Sequence, residues 1–259
     1  MDESPISRST REVHWLLIAA IGAGVGYLGG LFGKGGAAIA TPFLALVGVP
    51  PIVAVASPLP ATVPGTLIAF SRYRRSGFAD RRVIAWSMAC GVPATVVGAL
   101  LTRWVDGATL VGLTDVVIVA LGLRVVLHRP SPKAQHTDAH QSAPARMAMV
   151  AVAVGLLAGL LANSGGFLLV PLYLAVLALP IKSALASSLA VASLLAVPGT
   201  IVHATMGHID WRVAIVFGMA SIPLSSIGAR TALAMSSERL ERLYGAGLVV
   251  LGSALLLIG

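Results

Sequence analysis

Long apolar stretches recur along the chain and constrain its fold more than any other feature. An α-helix needs about 20 apolar residues to cross a bilayer core of roughly 30 Å. Only 11% of the residues are charged, against about 25% in a typical soluble domain, so too few charges remain to cover a soluble globule. The sequence therefore predicts an all-α, polytopic bundle of transmembrane helices. Eight stretches reach or approach the required length: Trp15–Phe32, Ile52–Phe70, Val83–Thr102, Thr109–Leu127, Met147–Leu161, Ala184–Thr205, Val213–Ala229 and Leu243–Ile258.

The two halves of the chain repeat one another. Residues 57–83 align without a gap to residues 187–213, an offset of 130 positions. Nearer the start of each half the offset is 129, which relates Pro42 to Pro171. We predict an N-terminal tail at 1–12, transmembrane repeats at 13–127 and 147–259, and a polar Pro/Ser/Ala-rich linker at 128–146 between them.

Two shorter apolar pieces, Ala37–Val49 and Phe167–Leu179, leave the topology open. Segments of this length are more often re-entrant than spanning. If they do not cross, the chain has about eight full spans, two half-helices and parallel repeats. If they cross, it has ten spans and inverted repeats.

Basic residues place two loops but do not choose between these topologies. Both arrangements put 12 of the Lys and Arg residues counted in loops on the inner side. Loops 71–82 and 128–146 are inside in either case, so we expect them to be cytoplasmic and the protein to be multi-pass in the cell inner (plasma) membrane. A net charge of +8 that is gathered in such loops does not indicate nucleic-acid binding.

A cluster of glycine and polar residues precedes each of the two short apolar pieces. Irregular backbone is tolerated at membrane depth only where it is buried in protein or lines a water-filled cavity. A short helix that begins after such a cluster directs its free N–H groups back at it, which favours an anion. Between the repeats, where secondary transporters bind substrate, the clusters predict a site for a small anion.

The predicted binding residues are glycines, hydroxyl and amide side chains, and one lysine. Lys34 is the most informative, because an ionisable group at membrane depth is costly and usually functional. We expect Ser57 to line the same cavity as the serines of the second repeat, and we expect Pro42 and Pro171 to break their helices. The full predicted set is Lys34, Gly35, Gly36, Ser57, Asn163, Ser164, Gly165, Gly166, Ser187 and Ser188. Gly22, Gly26, Gly30, Gly155 and Gly159 are assigned instead to close helix packing.

The second half carries a pattern that resembles the sulfite exporter TauE/SafE family, also called the toluene-sulfonate uptake permease family. The matching features are Ser164-Gly165-Gly166, Pro171, Ser187-Ser188 and the G-x-[IV]-D-W string at 207–211. The first half matches more loosely, with Ala37 in place of a glycine and Arg81 in place of Trp211. The resemblance implies an inner-membrane permease for sulfite, a sulfonate or a related organic anion, with H⁺ or Na⁺ as the candidate coupling ion.

Other functions fit the residues less well. A serine protease built on Ser164 and His203 lacks an aspartate to orient the base. The "GKGG" string departs from a phosphate-binding loop at Leu28 and Gly35. We therefore expect no enzymatic activity, cofactor or metal. A non-transporting membrane scaffold is the alternative, and the oligomeric state is left open.

Overall fold

The computed structural model describes residues 5–33, 37–101, 144–160 and 166–258. Within these ranges the chain forms α-helices and no β-strand, so the prediction of an all-α bundle is confirmed. The helices are α1 (Pro5–Phe32), α2 (Ala37–Leu46), α3 (Pro51–Ala56), α4 (Leu59–Arg75), α5 (Arg81–Leu101), α6 (Pro144–Leu160), α7 (Gly166–Ala175), α8 (Ile181–Thr205), α9 (Trp211–Ala234) and α10 (Ser237–Ile258).

Four helical segments of the described residues are long and apolar enough to cross a membrane, and one of them comprises α3 and α4 together. These segments are Trp15–Phe32, Ile52–Arg75, Ile181–Thr205 and Trp211–Ala234, and α6 contributes a shorter apolar segment. The predicted window at 109–127 lies outside the described residues. The number of repeats and the predicted domain boundaries remain predictions.

Glycine-lined contacts join the first long helix of each half to a helix of the other half. In α1, a Cβ on Gly22 would lie 2.6 Å from the Phe217 carbonyl oxygen of α9, and Cβ atoms on Gly26 and Gly30 would overlap the α9 backbone. In α6, a Cβ on Gly155 would overlap the backbone of α5. Only residues without a side chain allow backbones to approach so closely, which agrees with the packing role assigned to these glycines.

The two contacts correspond position by position. A Cβ on Gly26 would overlap the Ser221 carbonyl, and a Cβ on Gly155 would overlap the Gly91 carbonyl. Gly155 follows Gly26 by 129 positions, and Ser221 follows Gly91 by 130. In the same way, a Cβ on Gly228 would overlap the Tyr27 carbonyl, and a Cβ on Gly98 would overlap the Leu156 carbonyl. The two glycines are again 130 positions apart, and the two carbonyl residues 129. The repeat seen in the sequence therefore recurs in the packing of these helices.

Three long helices, two from the first half and one from the second, run side by side in one direction. Contacts advance together along α1 and α9, from Gly22 opposite Phe217 to Gly30 opposite Ser225, so these helices are parallel. The Tyr73 hydroxyl lies 3.4 Å from the Gly30 carbonyl oxygen, which places the ends of α4 and α1 together. Helices α1, α4 and α9 therefore run in the same direction.

Helices α5, α6 and α8 run the other way. Helix α8 is antiparallel to α9, because Lys182 at its start donates to the Leu233 carbonyl at the end of α9. Helix α5 follows α4 through a tight turn and is parallel to α6, with Gly91 opposite Ala151 and Gly98 opposite Leu156. Equivalent helices of the two halves thus point in opposite directions. This is the inverted arrangement, and the parallel arrangement that accompanied eight spans is wrong.

Matching turns precede α5 and α9. Gly77 and Gly207 have φ values of 80° and 70°, in the left-handed region that glycine adopts readily. The next aspartate caps the following helix: Asp80 Oδ1 accepts from the amides of residues 82 and 83, and Asp210 Oδ1 from those of residues 212 and 213. The G-x-x-D pattern therefore encodes the same turn twice.

Neither predicted helix break is found. Pro42 and Pro171 are each the sixth residue of a ten-residue helix, and α2 and α7 continue to Leu46 and Ala175. A proline lacks the amide N–H that would bond the carbonyl four residues earlier, but in the second turn that loss leaves the rest of a short helix intact. The prolines lie inside the short helices rather than ending them.

Candidate functional site

Ser188 connects the start of α8 to the end of α1, where the first glycine cluster begins. Its Oγ donates to the Gly33 carbonyl oxygen over 2.8 Å and lies 2.9 Å from the carbonyl of Leu185. Gly33 has a φ of 66°, and a Cβ there would lie 2.7 Å from Ser188 Oγ. The chain thus leaves α1 in a turn that requires glycine and that is fixed by a buried hydroxyl of the other half.

Ser187 lies beside this contact and differs from the other buried hydroxyls. Its side chain is fully buried, at 0% exposure, and its Oγ has no hydrogen-bond partner among the described residues. Thr62 and Ser193 instead donate to carbonyls of their own helices. Because an unpaired buried hydroxyl is costly, Ser187 requires an explanation that packing does not give.

Ser57 lies at the other end of the bundle. The backbone N–H of Asp210 donates to Ser57 Oγ over 3.1 Å, so this serine holds the turn between α8 and α9. It also lies near Leu59, whose side chain approaches Gly199, twelve residues along α8 from Ser187. At 1.5 Å per residue this separation is about 18 Å. The described residues therefore do not bring Ser57 and the Ser187–Ser188 pair into one pocket, contrary to our expectation.

Most residues of the two glycine clusters lie outside the described ranges. This applies to Lys34, Gly35, Gly36, Asn163, Ser164 and Gly165. The short helices begin directly after them, α2 at Ala37 and α7 at Gly166, as the sequence predicted. The structure therefore shows the helices on either side of each cluster. Helices α1 and α2 flank the first cluster, and helices α6 and α7 flank the second.

Two buried tyrosine contacts near the Ser188 end of the bundle were not predicted. Tyr73 of α4 reaches the Gly30 carbonyl of α1, and the Tyr173 hydroxyl of α7 lies 2.6 Å from Ser87 Oγ of α5. Both tyrosine side chains are fully buried. No spacing or motif marks these residues, because each partner lies on a different helix.

Two other polar features lie away from the glycine clusters. At the α8–α9 turn, the Nδ1 atoms of His203 and His208 are 3.2 Å apart. A cavity of ≈ 580 Å³ opens where α9 meets α10, and the ion pair of Arg242 with Glu238 lines it. No group of three or more potential metal ligands occurs among the described residues. The linker also carries two histidines at i, i+4 spacing, which could bind a metal, but His136 and His140 lie outside the described ranges. Neither feature contributes to the predicted site.

A polytopic helical bundle with oppositely directed halves and buried hydroxyl contacts between them has the architecture of a secondary membrane transporter. Comparison with known proteins agrees: residues 18–255 match the sulfite exporter TauE/SafE family, and the chain belongs to this family. The protein is accordingly a membrane transporter and not an enzyme.

Two curated relatives illustrate how much of the chain is shared. It is 29% identical over 252 residues to a probable membrane transporter protein of Xylella fastidiosa, covering 93% of this chain and 95% of that one. It is 26% identical over 265 residues to a probable membrane transporter protein of Methanocaldococcus jannaschii, with the same coverage of both chains. No solved structure matches the chain.

Proposed function

We propose that this protein is an inner-membrane permease that moves a small anion, such as sulfite or a sulfonate, between its two halves. The observation that carries the proposal is the Ser188–Gly33 hydrogen bond of 2.8 Å. It holds the backbone directly before Lys34-Gly35-Gly36 against a buried helix of the opposite half. Gly33, the residue before this cluster, is thereby held in place by the other half.

The surroundings of this point favour an anion over a cation or a neutral solute. Helix α2 begins at Ala37, directly after the cluster, and its N-terminus carries partial positive charge. Lys34, which follows Gly33 directly in the sequence, adds a full positive charge. The family name supplies the sulfur oxyanions as the first substrates to test.

The distribution of basic residues supports a cytoplasmic assignment for one end of the bundle. The end formed by the C-termini of α1, α4 and α9 is strongly basic, whereas Arg8, Arg11 and Arg212 belong to the other end. Because Lys and Arg are retained on the cytoplasmic side, the Ser188 end faces the cytoplasm and the Ser57 end faces outward. The basic residues at the Ser188 end are Arg72, Arg74, Arg75, Arg81, Arg82, Arg146, Lys182, Arg230, Arg239 and Arg242.

Transport by purified protein in proteoliposomes tests the proposal. Radiolabelled sulfite and an aromatic sulfonate are supplied separately, each with and without an imposed H⁺ or Na⁺ gradient. We expect saturable uptake above that of empty liposomes, and we expect Lys34→Ala to raise the apparent KM about tenfold, as for the loss of a charge-assisted hydrogen bond. Gly165→Leu, which fills the second cluster, should abolish uptake.

Two variants control for general damage. Lys133→Ala removes a lysine from the linker, and Gly24→Leu adds a side chain where nothing lies within 4 Å of the new Cβ. Both should transport normally. If neither anion enters above the empty-liposome rate while the protein remains folded, the anion permease proposal fails and the scaffold alternative gains support.

A further inference from the structure

Two serine–aspartate pairs occupy equivalent places in the two halves, and only one of them is hydrogen-bonded. The offset of 130 relates Ser57 to Ser187 and Asp80 to Asp210. The Asp210 amide donates to Ser57 Oγ over 3.1 Å. Its counterpart, Ser187 Oγ, is buried and has no partner among the described residues. The structure is therefore asymmetric at this contact.

The Asp80 turn has the local structure needed to make the missing bond. It has the same left-handed glycine three residues earlier and the same aspartate cap as the Asp210 turn. It also lies beside the start of α8, since Lys182 Nζ is 5.6 Å from the centre of the Phe78 ring. Helix α5 is parallel to α8, as α9 is to α4. A closer approach of the Asp80 turn to α8 would bring the Asp80 amide towards Ser187.

We infer that the two serines act as alternating positioning residues of the transport cycle: the Ser57–Asp210 bond closes one end, and a Ser187–Asp80 bond closes the other. Inverted repeats allow this because each half can adopt the conformation that the other has given up. In the observed state the Ser57–Asp210 bond is formed, and Ser187 has no partner among the described residues. In the opposite state the serines exchange roles.

The exchange also accounts for the cost of an unpaired hydroxyl. Each state makes one of the two bonds and leaves the other serine buried without a partner. The free-energy cost of an unpaired hydroxyl is therefore present in both states and favours neither. Two states of similar free energy can both be populated, which alternating access requires. A serine bonded to its own helix, such as Ser193, would lack this dependence on state.

Distances between spin labels test the inference in protein held in lipid nanodiscs, with Cys90 replaced by alanine. One label pair, at positions 53 and 211, reports the outward end. Its counterpart at the same offset, positions 81 and 183, reports the cytoplasmic end. We expect Ser57→Ala to shift the population towards a long 53–211 and a short 81–183 distance, and Ser187→Ala to shift it the opposite way. Loss of one neutral hydrogen bond should change the population ratio about fivefold.

Ser193→Ala, on the same helix as Ser187, is the matched control and should leave both distance distributions unchanged. Shifts in the same direction for both variants, or no shift for either, would overturn the inference. So would a Ser187→Ala variant that raises the apparent KM for the anion without moving either distance, because Ser187 would then be a ligand. The inference rests on the transport function proposed above but not on the anion. Reciprocal shifts without sulfite or sulfonate uptake would therefore reject the substrate proposal alone.

Discussion

Ser188 and Gly33 are 155 positions apart in the chain, yet the serine hydroxyl donates to the glycine carbonyl over 2.8 Å. This bond holds the end of α1 against α8 at the edge of the first glycine cluster. We predict that Ser188→Ala lowers the uptake rate about fivefold, the effect of one neutral hydrogen bond, by loosening the backbone before Lys34. The measurement is initial uptake in proteoliposomes at equal protein density. Ser193→Ala, whose hydroxyl bonds only Ala190 of its own helix, should retain full activity.

Gly33 itself should tolerate no side chain. Its φ of 66° disfavours L-residues, and an added Cβ would lie 2.7 Å from Ser188 Oγ and 2.9 Å from a methyl carbon of Leu185. We expect Gly33→Ala to destabilise the fold by about 1–3 kcal/mol, measured as the midpoint of thermal unfolding in detergent. Adding Ser188→Ala to the variant should recover part of the loss, since it removes the nearest obstructing atom. No recovery would mean that backbone strain and the contact with Leu185, rather than the Ser188 hydroxyl, account for the effect.

The cross-packed glycines give a second stability prediction. Gly26→Ala and Gly155→Ala place a methyl group inside the backbone of a helix from the other half, so each should cost about 1–3 kcal/mol or prevent folding. The equivalence of the two contacts predicts similar losses for the two variants. Gly24→Ala, two positions away on the open face of α1, should be neutral or slightly stabilising, because alanine favours a helix more than glycine does. Equal losses at positions 24 and 26 would contradict the packing.

The sequence predicted the helical membrane fold, the short helices after the glycine clusters and the packing glycines, because these depend on hydropathy and local spacing. It did not choose between parallel and inverted halves, since loop charges alone gave equal counts. Helix directions decided this through contacts such as that of Lys182 with Leu233. The prediction from the sequence also misplaced Ser57. The partner of this serine is a backbone amide 153 residues away, and no local pattern encodes that contact.

Ala178 and Gly48 both have a left-handed backbone conformation, and exchanging alanine and glycine at these positions gives a matched pair of substitutions. Ala178, after α7, has a φ of 51°, and Gly48 occupies the corresponding turn after α2 with a φ of 86°. Because this conformation costs an L-residue roughly 1 kcal/mol, Ala178→Gly should stabilise the protein by up to about that amount. Gly48→Ala should destabilise it by a similar amount. Thermal unfolding of both variants checks the prediction, and shifts of equal sign would contradict it.

The orientation of the bundle predicts which turns are reachable from outside the cell. Ser76, after α4, and Met206, after α8, are both exposed and lie at opposite ends of the bundle. With Cys90 replaced by alanine, Met206→Cys should react with a membrane-impermeant maleimide in intact cells. Ser76→Cys should react only after the cells are lysed, because its end of the bundle carries the cytoplasmic excess of arginine. Labelling of Ser76→Cys in intact cells, with Met206→Cys protected, would reverse the proposed orientation and place the Ser188–Gly33 contact on the outer side.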